Sequence, residues 1–295
     1  MSDALKTLLT ECFASVVDDR PYSLIDYPLY NNPGDSMIWL GSRILLEQIT
    51  GRPPAYVATL RAFEAKKCKS AIGSGTIFML GGGNFGDLYP KHQEFRLRVL
   101  RAAAGNRVVL MPLSVAISDS SSSLLEQTTE ALRVPDEVVA FARERPSQEL
   151  LSDLGVRADL LPDAAHMLHI DAGPPDKRLV RLIRSDREAL SSAGKGFDWT
   201  DSRQLRWINR SGKLFYATVP TKGRRGLFDW LSGARVHAAA RLIASGERVE
   251  TNRLHALILA QLLGRPVSFS DNSTGKLSAY VEAWGDHLTC LKIGI

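Results

Sequence analysis

The sequence predicts an α/β fold with parallel β-sheets. Short apolar segments recur along the 295-residue chain, and segments with apolar residues at helical spacing lie between them. Turns rich in Gly, Pro, Asn and Asp separate the two kinds of segment. Because a parallel strand pair needs a long crossover connection, strands that alternate with helices favour parallel sheets covered by helices on both faces.

The first half of the chain repeats this alternation. Residues 4–17 have apolar side chains at helical spacing, and a second helix from Ser36 to about Ile49 ends before Gly51 and a Pro pair. The residues Gly81–Asp87 are predicted to form a loop. By the same criteria, strands are predicted at Ser23–Tyr27, Thr76–Leu80, Arg107–Pro112, Glu137–Ala142 and Ala158–Leu161, and helices at Pro90–Ala104, Glu126–Leu132 and Ser147–Gly155.

The composition changes near residue 170, where Gly173-Pro174-Pro175 follows. We therefore predict an N-terminal domain of residues 1–170 and a C-terminal domain of residues 171–295. Residues 186–225 have no regular pattern, which predicts a long functional loop or a poorly ordered insert. Elsewhere in this half, strands are predicted at Arg178–Ile183, Glu247–Glu250 and Pro266–Phe269, and helices at Val236–Ala244 and Arg253–Leu263.

Bulk properties narrow the class of protein. The net charge is +5, and Lys and Arg are spread along the chain, so we predict no nucleic-acid binding. The surplus suits anionic small molecules or an anionic membrane surface. Three scattered cysteines form no disulfide or metal pattern and favour a reducing compartment. No secretory leader and no membrane-spanning apolar run is apparent, which predicts a cytoplasmic protein.

The strongest local pattern is GGGNFGD at Gly81–Asp87, directly after an apolar strand. Glycines let a ligand approach the backbone, whose N–H groups can bind an anion. Gly81, Gly83 and Gly86 also fit GxGxxG, but the next strand is followed by no acidic residue for a ribose. A ligand-binding loop is favoured over a dinucleotide site and over a plain tight turn.

A second pattern is Thr251–His255, which follows a strand and begins a helix. Thr251 or Asn252 is a suitable N-cap, which places Arg253 and His255 in the first helical turn. Arg253 can bind two oxygens of a phosphate or carboxylate, and His255 can transfer a proton near neutral pH. The alternative is an ordinary capped helix with a structural histidine.

Two further segments are candidates for anion binding. Lys276 ends the polar loop after the strand at Pro266–Phe269, and Arg143 follows the strand at Glu137–Ala142. The alternatives are an ordinary turn and a surface Arg–Glu pair. His166 and His169 have no accompanying ligand set, so we predict no metal site. The chain also lacks HExxH, GxSxG and P-loop motifs.

Taken in order, these motifs resemble the polysaccharide pyruvyl transferase family, over nearly the whole chain. Two positions depart from the family pattern, which usually has Gln at Leu113 and Asp at Asn252. The residues that carry the resemblance are Asn32–Trp39, Gly81–Pro90 with His92, Gln93 and Arg96, Met111–Ser114, Ala142–Glu144 with Ser147, Pro162–Ala165, Arg184–Glu188, Thr251–His255, Asp271–Lys276 and Trp284.

The resemblance implies two Rossmann-like domains facing a cleft, as in GT-B glycosyltransferases. It implies transfer of a pyruvyl group from phosphoenolpyruvate to a hexose of a lipid-linked polysaccharide precursor, forming a ketal and releasing phosphate, without metal or cofactor. The N-terminal domain would hold the acceptor and the C-terminal domain the donor. The resemblance also implies that the protein can associate peripherally with the inner membrane face. The alternatives are a nucleotide-sugar-dependent glycosyltransferase and a non-catalytic glycan-binding relative; the oligomeric state stays open.

The resemblance also suggests roles for single residues. His255 is the candidate general acid or base, and Asp35 and Asp87 are candidate bases or acceptor ligands. Arg253 and Arg143 would each bind one anionic group of phosphoenolpyruvate. Supporting substrate contacts are predicted at Leu254, Lys276, Asn272, Ser273, Gly82, Gly83, Asn84 and His92.

Overall fold

The computed structural model describes residues 2–117, 123–171, 173–186, 188–189, 196–220, 223–288 and 290–292. The chain divides into two compact units. We call Lys6–Tyr27 with Ser42–Ala164 the N-terminal unit, and Met1–Leu5 with Pro28–Gly41 and Ala165–Ile295 the C-terminal unit. Residues 28–41, which the sequence-based boundary assigns to the first domain, therefore group with the C-terminal residues.

The N-terminal unit contains a seven-stranded parallel sheet. Six strands follow the order β2-β1-β3-β5-β6-β7, and β4 pairs with the second half of β5. The strands are β1 (Ser23–Ile25), β2 (Tyr56–Ala58), β3 (Ile77–Met79), β4 (Gly82–Gly86), β5 (Arg107–Ala116), β6 (Glu137–Ala142) and β7 (Arg157–Leu160).

The strand order reverses between β1 and β3, because β2 lies on one side of β1 and β3 on the other. In open parallel sheets, the carboxyl ends of the strands at such a reversal form a crevice that binds ligands. The sheet is buried among apolar side chains, such as Leu24 and Val109, which are fully buried. The topology thus points to the ends of β1 and β3 as the place for a site.

The helices of the first part of the chain alternate with these strands. Helices α1 and α2 contribute residues to both units. The bounds are α1 (Ser2–Ala14), α2 (Pro33–Thr50), α3 (Ala65–Ile72), α4 (Pro90–Arg101), α5 (Ser123–Leu132) and α6 (Arg145–Asp153), and a 3-10 turn follows at Ala164–Met167.

The C-terminal unit contains a four-stranded parallel sheet in the order β11-β10-β9-β8. Its strands are β8 (Lys177–Leu182), β9 (Gly246–Thr251), β10 (Val267–Phe269) and β11 (Cys290–Lys292). Its helices are α7 (Arg203–Thr218), α8 (Arg224–Ala244), α9 (Leu254–Leu262) and α10 (Lys276–Trp284), with 3-10 turns at Trp199–Asp201 and Gly285–His287. No helix in the described ranges is long and apolar enough to span a bilayer.

The α/β fold with parallel sheets is confirmed, but the structure differs from the sequence prediction at the segments Gly81–Asp87 and 186–225, among others. The predicted loop Gly81–Asp87 is largely strand β4, because its glycines bring the backbone against β5. A Cβ on Gly81 would lie 2.0 Å from the Pro112 carbonyl oxygen, and one on Gly86 would lie 1.8 Å from that of Ala116. The segment 186–225 contains helix α7, and its residues 187, 190–195 and 221–222 lie outside the described ranges.

Candidate functional site

Asp26, directly after β1, lies at the strand-order reversal of the N-terminal unit. It is the single non-glycine residue in the described chain with a positive φ, at 72°. Its side chain is buried, and no donor from the described residues reaches Oδ1. A strained backbone and a carboxylate oxygen without a partner both cost free energy and are typical of functional sites. The sequence analysis did not single out this residue.

The other carboxylate oxygen of Asp26 faces two polar side chains. Asp26 Oδ2 lies 3.2 Å from His92 Nδ1 and 3.5 Å from Asn84 Nδ2. Asn84 Nδ2 also lies 3.1 Å from the same ring nitrogen. The predicted substrate ligands Asn84 and His92 therefore meet at one carboxylate. With its proton on Nδ1, the imidazole donates to Asp26 and leaves Nε2 to exchange protons.

Arg96 holds this cluster from α4. Its guanidinium donates to Asn84 Oδ1 at 2.9 Å and to Gln93 Oε1 at 2.8 Å, and it lies 4.5 Å from the centre of the Phe85 ring. Burial lowers the pKa of Arg96 to about 10, against the opposing effect of the Asp26 charge, so the side chain stays cationic at neutral pH. The bond to Asn84 Oδ1 turns the amide nitrogen of Asn84 toward Asp26 and His92.

The glycines of β4 lie in the same unit. Gly82 and Gly86 have φ values of 113° and 112°, which a residue with a side chain rarely adopts. Gly83 is half-buried between them, and Asp87 follows the strand and donates its backbone N–H to Ala116. Residues 82–84, 87 and 92 thus lie on β4, in the turn after it and at the start of α4.

Arg143 is buried, in contrast to the surface Arg–Glu pair that was the sequence-based alternative. Its guanidinium contacts Asp163 at 2.6 Å and donates to Ser114 Oγ at 2.6 and 3.2 Å. Glu144 accepts from the hydroxyls of Ser114 and Ser147. These hydrogen bonds connect the ends of β5 and β6, so Arg143 has at least a structural role.

The C-terminal unit gathers a charged network at the carboxyl ends of β8 and β9. Arg253 binds both oxygens of Asp198, at 2.6 and 2.7 Å, and contacts Asp186 at 3.0 Å. Arg184 binds both oxygens of Asp186, at 2.8 and 2.9 Å, and contacts Glu188 at 2.7 Å. The two arginines therefore alternate with three carboxylates.

The network lowers the pKa of its aspartates. Burial alone would raise the pKa of Asp186, but hydrogen bonds from Arg184 and the charges of Arg253 and Arg184 lower it to about 2. Burial also opposes ionisation of Asp198, and hydrogen bonds from Arg253 together with those from Ser185 outweigh it, so its pKa is lowered. Asp198 is 1% exposed, whereas 38% of the Asp186 side chain is exposed. Asp186 is therefore the partner that solvent or a ligand can reach.

His255 lies against the start of α2. A Cβ on Gly34 would lie 2.6 Å from His255 Nδ1 and 2.7 Å from its Cγ, so the ring occupies the space that a side chain at position 34 would need. Asp35 follows and accepts from Tyr30 Oη at 2.7 Å and Asn32 Nδ2 at 2.8 Å. The structure thus joins two sequence motifs that lie far apart in the chain, Asn32–Asp35 and Arg253–His255.

The remaining candidates surround the same strand ends. Asn272 Nδ2 donates to Glu188 at 3.0 Å, and the Ser273 N–H donates to the Glu188 carbonyl at 3.1 Å. Lys276 is the first residue of α10 and is buried, and Leu254, the first residue of α9, is buried too. Among the predicted site residues, Asp35, Arg253, Leu254, His255, Asn272, Ser273 and Lys276 belong to this unit, and Gly82, Gly83, Asn84, Asp87, His92 and Arg143 to the other.

The two departures from the family pattern have different settings. Asn252 is fully buried, its Oδ1 accepts from the Arg184 N–H at 2.7 Å, and its Nδ2 has no partner in the described chain. An aspartate could accept the same hydrogen bond. Leu113 is 1% exposed and belongs to the apolar core of the N-terminal unit. Its replacement of Gln therefore adds to packing there.

Comparison with known proteins was consistent with these motifs. The family model described as "Polysaccharide pyruvyl transferase" matches residues 32–274. "Putative pyruvyl transferase EpsO" of Bacillus subtilis (strain 168) is 28% identical over 88% of this chain and 84% of its own length. "Pyruvyl transferase 1" of Schizosaccharomyces pombe is 28% identical over 96% of this chain and 73% of its own.

A solved structure shares the fold. The crystal structure of a functionally uncharacterised protein from Klebsiella pneumoniae matches with a TM-score of 0.67 and 18% identity, and the match covers 99% of each chain. Within the described residues, no group of three or more His, Cys, Asp or Glu side chains could hold a metal ion.

Proposed function

The chain belongs to the polysaccharide pyruvyl transferase family, and we propose that it transfers the pyruvyl group of phosphoenolpyruvate to a hexose of a polysaccharide precursor as a ketal. The methylene carbon of the donor gains a proton, two sugar hydroxyls bond to C2, and phosphate leaves. One hydroxyl proton goes to the methylene carbon and the other to phosphate. We propose a lipid-linked acceptor and a cytoplasmic location, with no metal or cofactor.

The observation that carries this proposal is the packing of His255 on Gly34. It gives the candidate proton donor a fixed place between two motifs of the family. An imidazole held in one orientation is suited to protonate the donor methylene, and a positioned proton transfer accelerates a reaction by about 10²–10⁴-fold. Gly34 acts as a positioning residue, because any Cβ there would displace the ring.

We propose that the donor binds the charged network of the C-terminal unit. Phosphoenolpyruvate has a phosphate and a carboxylate, which suit the planar guanidinium groups of Arg184 and Arg253. Both arginines already contact the half-exposed Asp186. The donor would replace Asp186 at the two guanidinium groups, while the buried Asp198 keeps Arg253 in place.

We propose that the acceptor binds the N-terminal unit and that His92 accepts a proton from its hydroxyl. Asp26 would orient the imidazole and stabilise its protonated form, as a carboxylate does for a catalytic histidine. Asp87 and Asp35 remain the alternative bases. The expected cleft between two Rossmann-like domains is part of this proposal.

Thermal unfolding with phosphoenolpyruvate, beside a panel of nucleotide sugars, tests the donor. Ligand at 100 times Kd should stabilise the chain by about 2.7 kcal/mol. The variant that tests the binding site is Arg253→Lys. Arg253→Ala is not suitable, because it would leave the buried Asp198 unpaired and destabilise the protein even without ligand. Lysine keeps the positive charge but lacks the paired N–H donors of the guanidinium group, so phosphoenolpyruvate should stabilise this variant less than the parent protein.

Each outcome distinguishes one function. Stabilisation by a nucleotide sugar alone would indicate glycosyltransferase activity in place of pyruvyl transfer. Stabilisation by neither ligand would favour a non-catalytic relative. If phosphoenolpyruvate stabilises the parent and Arg253→Lys equally, it is still the donor, but it does not bind at the charged network.

Turnover tests the role of His255. His255→Gln keeps the size of the side chain and should lower phosphate release from phosphoenolpyruvate, in the presence of a glycan acceptor, by about 10²-fold or more. The melting temperature should stay near that of the parent, because the ring is half-buried and lies at a helix start. An active His255→Gln enzyme would contradict the assignment.

A further inference from the structure

The segment that contains helix α7 and the start of α8 has a higher net positive charge than the whole chain. Residues 203–230 contain seven Lys or Arg residues and one acidic residue, Asp229, a net charge of +6 against +5 for all 295 residues. Helix α7 itself contains no acidic residue. The sequence analysis expected Lys and Arg to be spread along the chain, and that expectation is wrong. The net positive charge is concentrated in residues 203–230, and the rest of the protein is close to neutral.

The same segment carries the most exposed large apolar side chains of the described protein. Trp207 is 67% exposed, Leu214 68%, Trp230 52% and Phe215 46%. Phe215 contacts Trp230 edge to face, with 6.0 Å between ring centres. Large apolar groups that cluster on a surface mark an interaction site, whereas single ones are common.

Helical geometry places cations beside these apolar groups. Trp207 and Leu214 are seven residues apart, so they lie on one side of α7 about 10.5 Å from each other. Arg203 and Arg210, four residues before and three after Trp207, share that side. Exposed Arg206 and Lys213 flank it. We call these six residues of α7 the outward face.

The opposite side of α7 is fixed to the protein. Leu205, Ile208 and Gly212 are its buried residues. A Cβ on Gly212 would lie 2.4 Å from Leu231 Cδ2, so α7 packs closely on α8 at this point. The helix therefore presents its outward face to solvent in a defined orientation and does not need to fold on contact with a partner.

We propose that the outward face docks the protein on an anionic membrane surface. Arg and Lys bind lipid phosphates, and their long apolar stems let Trp207 and Leu214 enter the acyl boundary, as in interfacial amphipathic helices. Trp prefers this interface because it joins an apolar body to a polar N–H group. A nucleic acid would use the cations and could stack on Trp207, but it offers nothing to Leu214. This inference does not depend on the proposed reaction.

Vesicle binding tests this docking. Sedimentation with phosphatidylcholine vesicles, with and without phosphatidylglycerol, should show binding to the anionic vesicles, and added salt should weaken it. Each cation near such a surface strengthens binding by about fivefold, so Arg210→Glu with Lys213→Glu, which removes two cations, should weaken it by about 25-fold or more. Trp207→Ser with Leu214→Ser should also release the protein, by removal of the apolar contact.

The matched control is Lys66→Glu with Lys67→Glu. These exposed residues of α3 give the same change in net charge at a distant point of the sequence, and they should keep most of the binding. All variants change solvent-exposed residues, so their melting temperatures should match the parent. The proposal would be overturned if the parent protein does not bind anionic vesicles. It would also be overturned if the control variant binds them as poorly as Arg210→Glu with Lys213→Glu. Concentration-dependent dimers that Trp207→Ser with Leu214→Ser abolishes would overturn it too, since a second copy would then cover the face.

Discussion

The two units place polar clusters at the same kind of position, the carboxyl ends of parallel strands, but the clusters differ in how their charges are balanced. In the N-terminal unit, Asp26 faces a histidine and an amide and keeps one buried oxygen without a partner in the described chain. In the C-terminal unit, Arg184 and Arg253 are bound by carboxylates. The first arrangement suits proton transfer, and the second suits exchange of one anion for another.

Removal of a charge should therefore affect the two clusters differently, and Asp198→Asn should have the largest effect. Asp198 is buried and accepts from Arg253, Ser185 and the Trp199 N–H. Loss of one partner from a buried ion pair costs about 3–5 kcal/mol, which urea unfolding would measure. Glu137→Gln, which breaks the exposed pair with Arg107, should cost about 0–1 kcal/mol. Equal losses would show that burial of Asp198 is unimportant.

The lowered pKa values of Asp186 and Asp198 predict a loss of stability in acid. A carboxyl group whose pKa is lower in the folded state stabilises fully above its unfolded pKa, and this contribution disappears as the pH falls through the folded pKa. Because the pKa of Asp186 is lowered from 3.8 to about 2, the free energy of unfolding should fall between these values. In Asp198→Asn this fall should be smaller, and an unchanged slope against pH would contradict the assignment.

In the N-terminal unit, Asp26→Asn should reduce activity and leave the fold intact. Asparagine tolerates the positive φ of this position. The buried Arg96 loses the favourable charge of Asp26 but keeps its hydrogen bonds to Asn84 and Gln93. Turnover should fall by about 10²-fold, because the amide cannot stabilise a protonated His92. The pH profile of kcat should change with it, which a purely structural role would not cause. If Asp87→Asn lowers turnover and Asp26→Asn does not, Asp87 is the base.

The smallest effect is expected for Asp186→Asn. If phosphoenolpyruvate replaces Asp186 at the two arginines, removal of the competing charge should lower KM for the donor severalfold, with kcat nearly unchanged. Asp159→Asn, which weakens the exposed pair with Arg157, is the control and should leave KM unchanged. A higher KM in Asp186→Asn would mean that this carboxylate orders the arginines and does not compete with the donor.

Periodicity predicted the local elements well where buried apolar residues repeat, as in β5 and α9. It failed for β4, whose glycines provide no side-chain pattern, and for α7, whose buried side has few residues while Trp207 and Leu214 face solvent. The strand at Tyr56–Ala58 and helix α10 were also not predicted; the former is too short to show a period.

The candidate site could be predicted only where glycines or a compact motif mark it. Arg253 and His255 are only two residues apart in sequence, so their chemistry could be predicted. Asp26 and Asp198 are single carboxylates whose partners lie 66 and 55 residues away along the chain. Asp26 follows a strand, but its importance comes from the strand order, which a single sequence does not reveal.

The chain crosses between the units more than once, and this has a consequence for protein engineering. Within the C-terminal unit, Trp39 donates to Asp229 at 3.0 Å, and Arg235 donates to the Pro28 carbonyl at 3.0 Å. A fragment cut at residue 170 would lack these partners and the glycine that seats His255. A graft that moves the C-terminal unit onto another protein must therefore carry residues 28–41 as a separate insert, because the unit is not a continuous module.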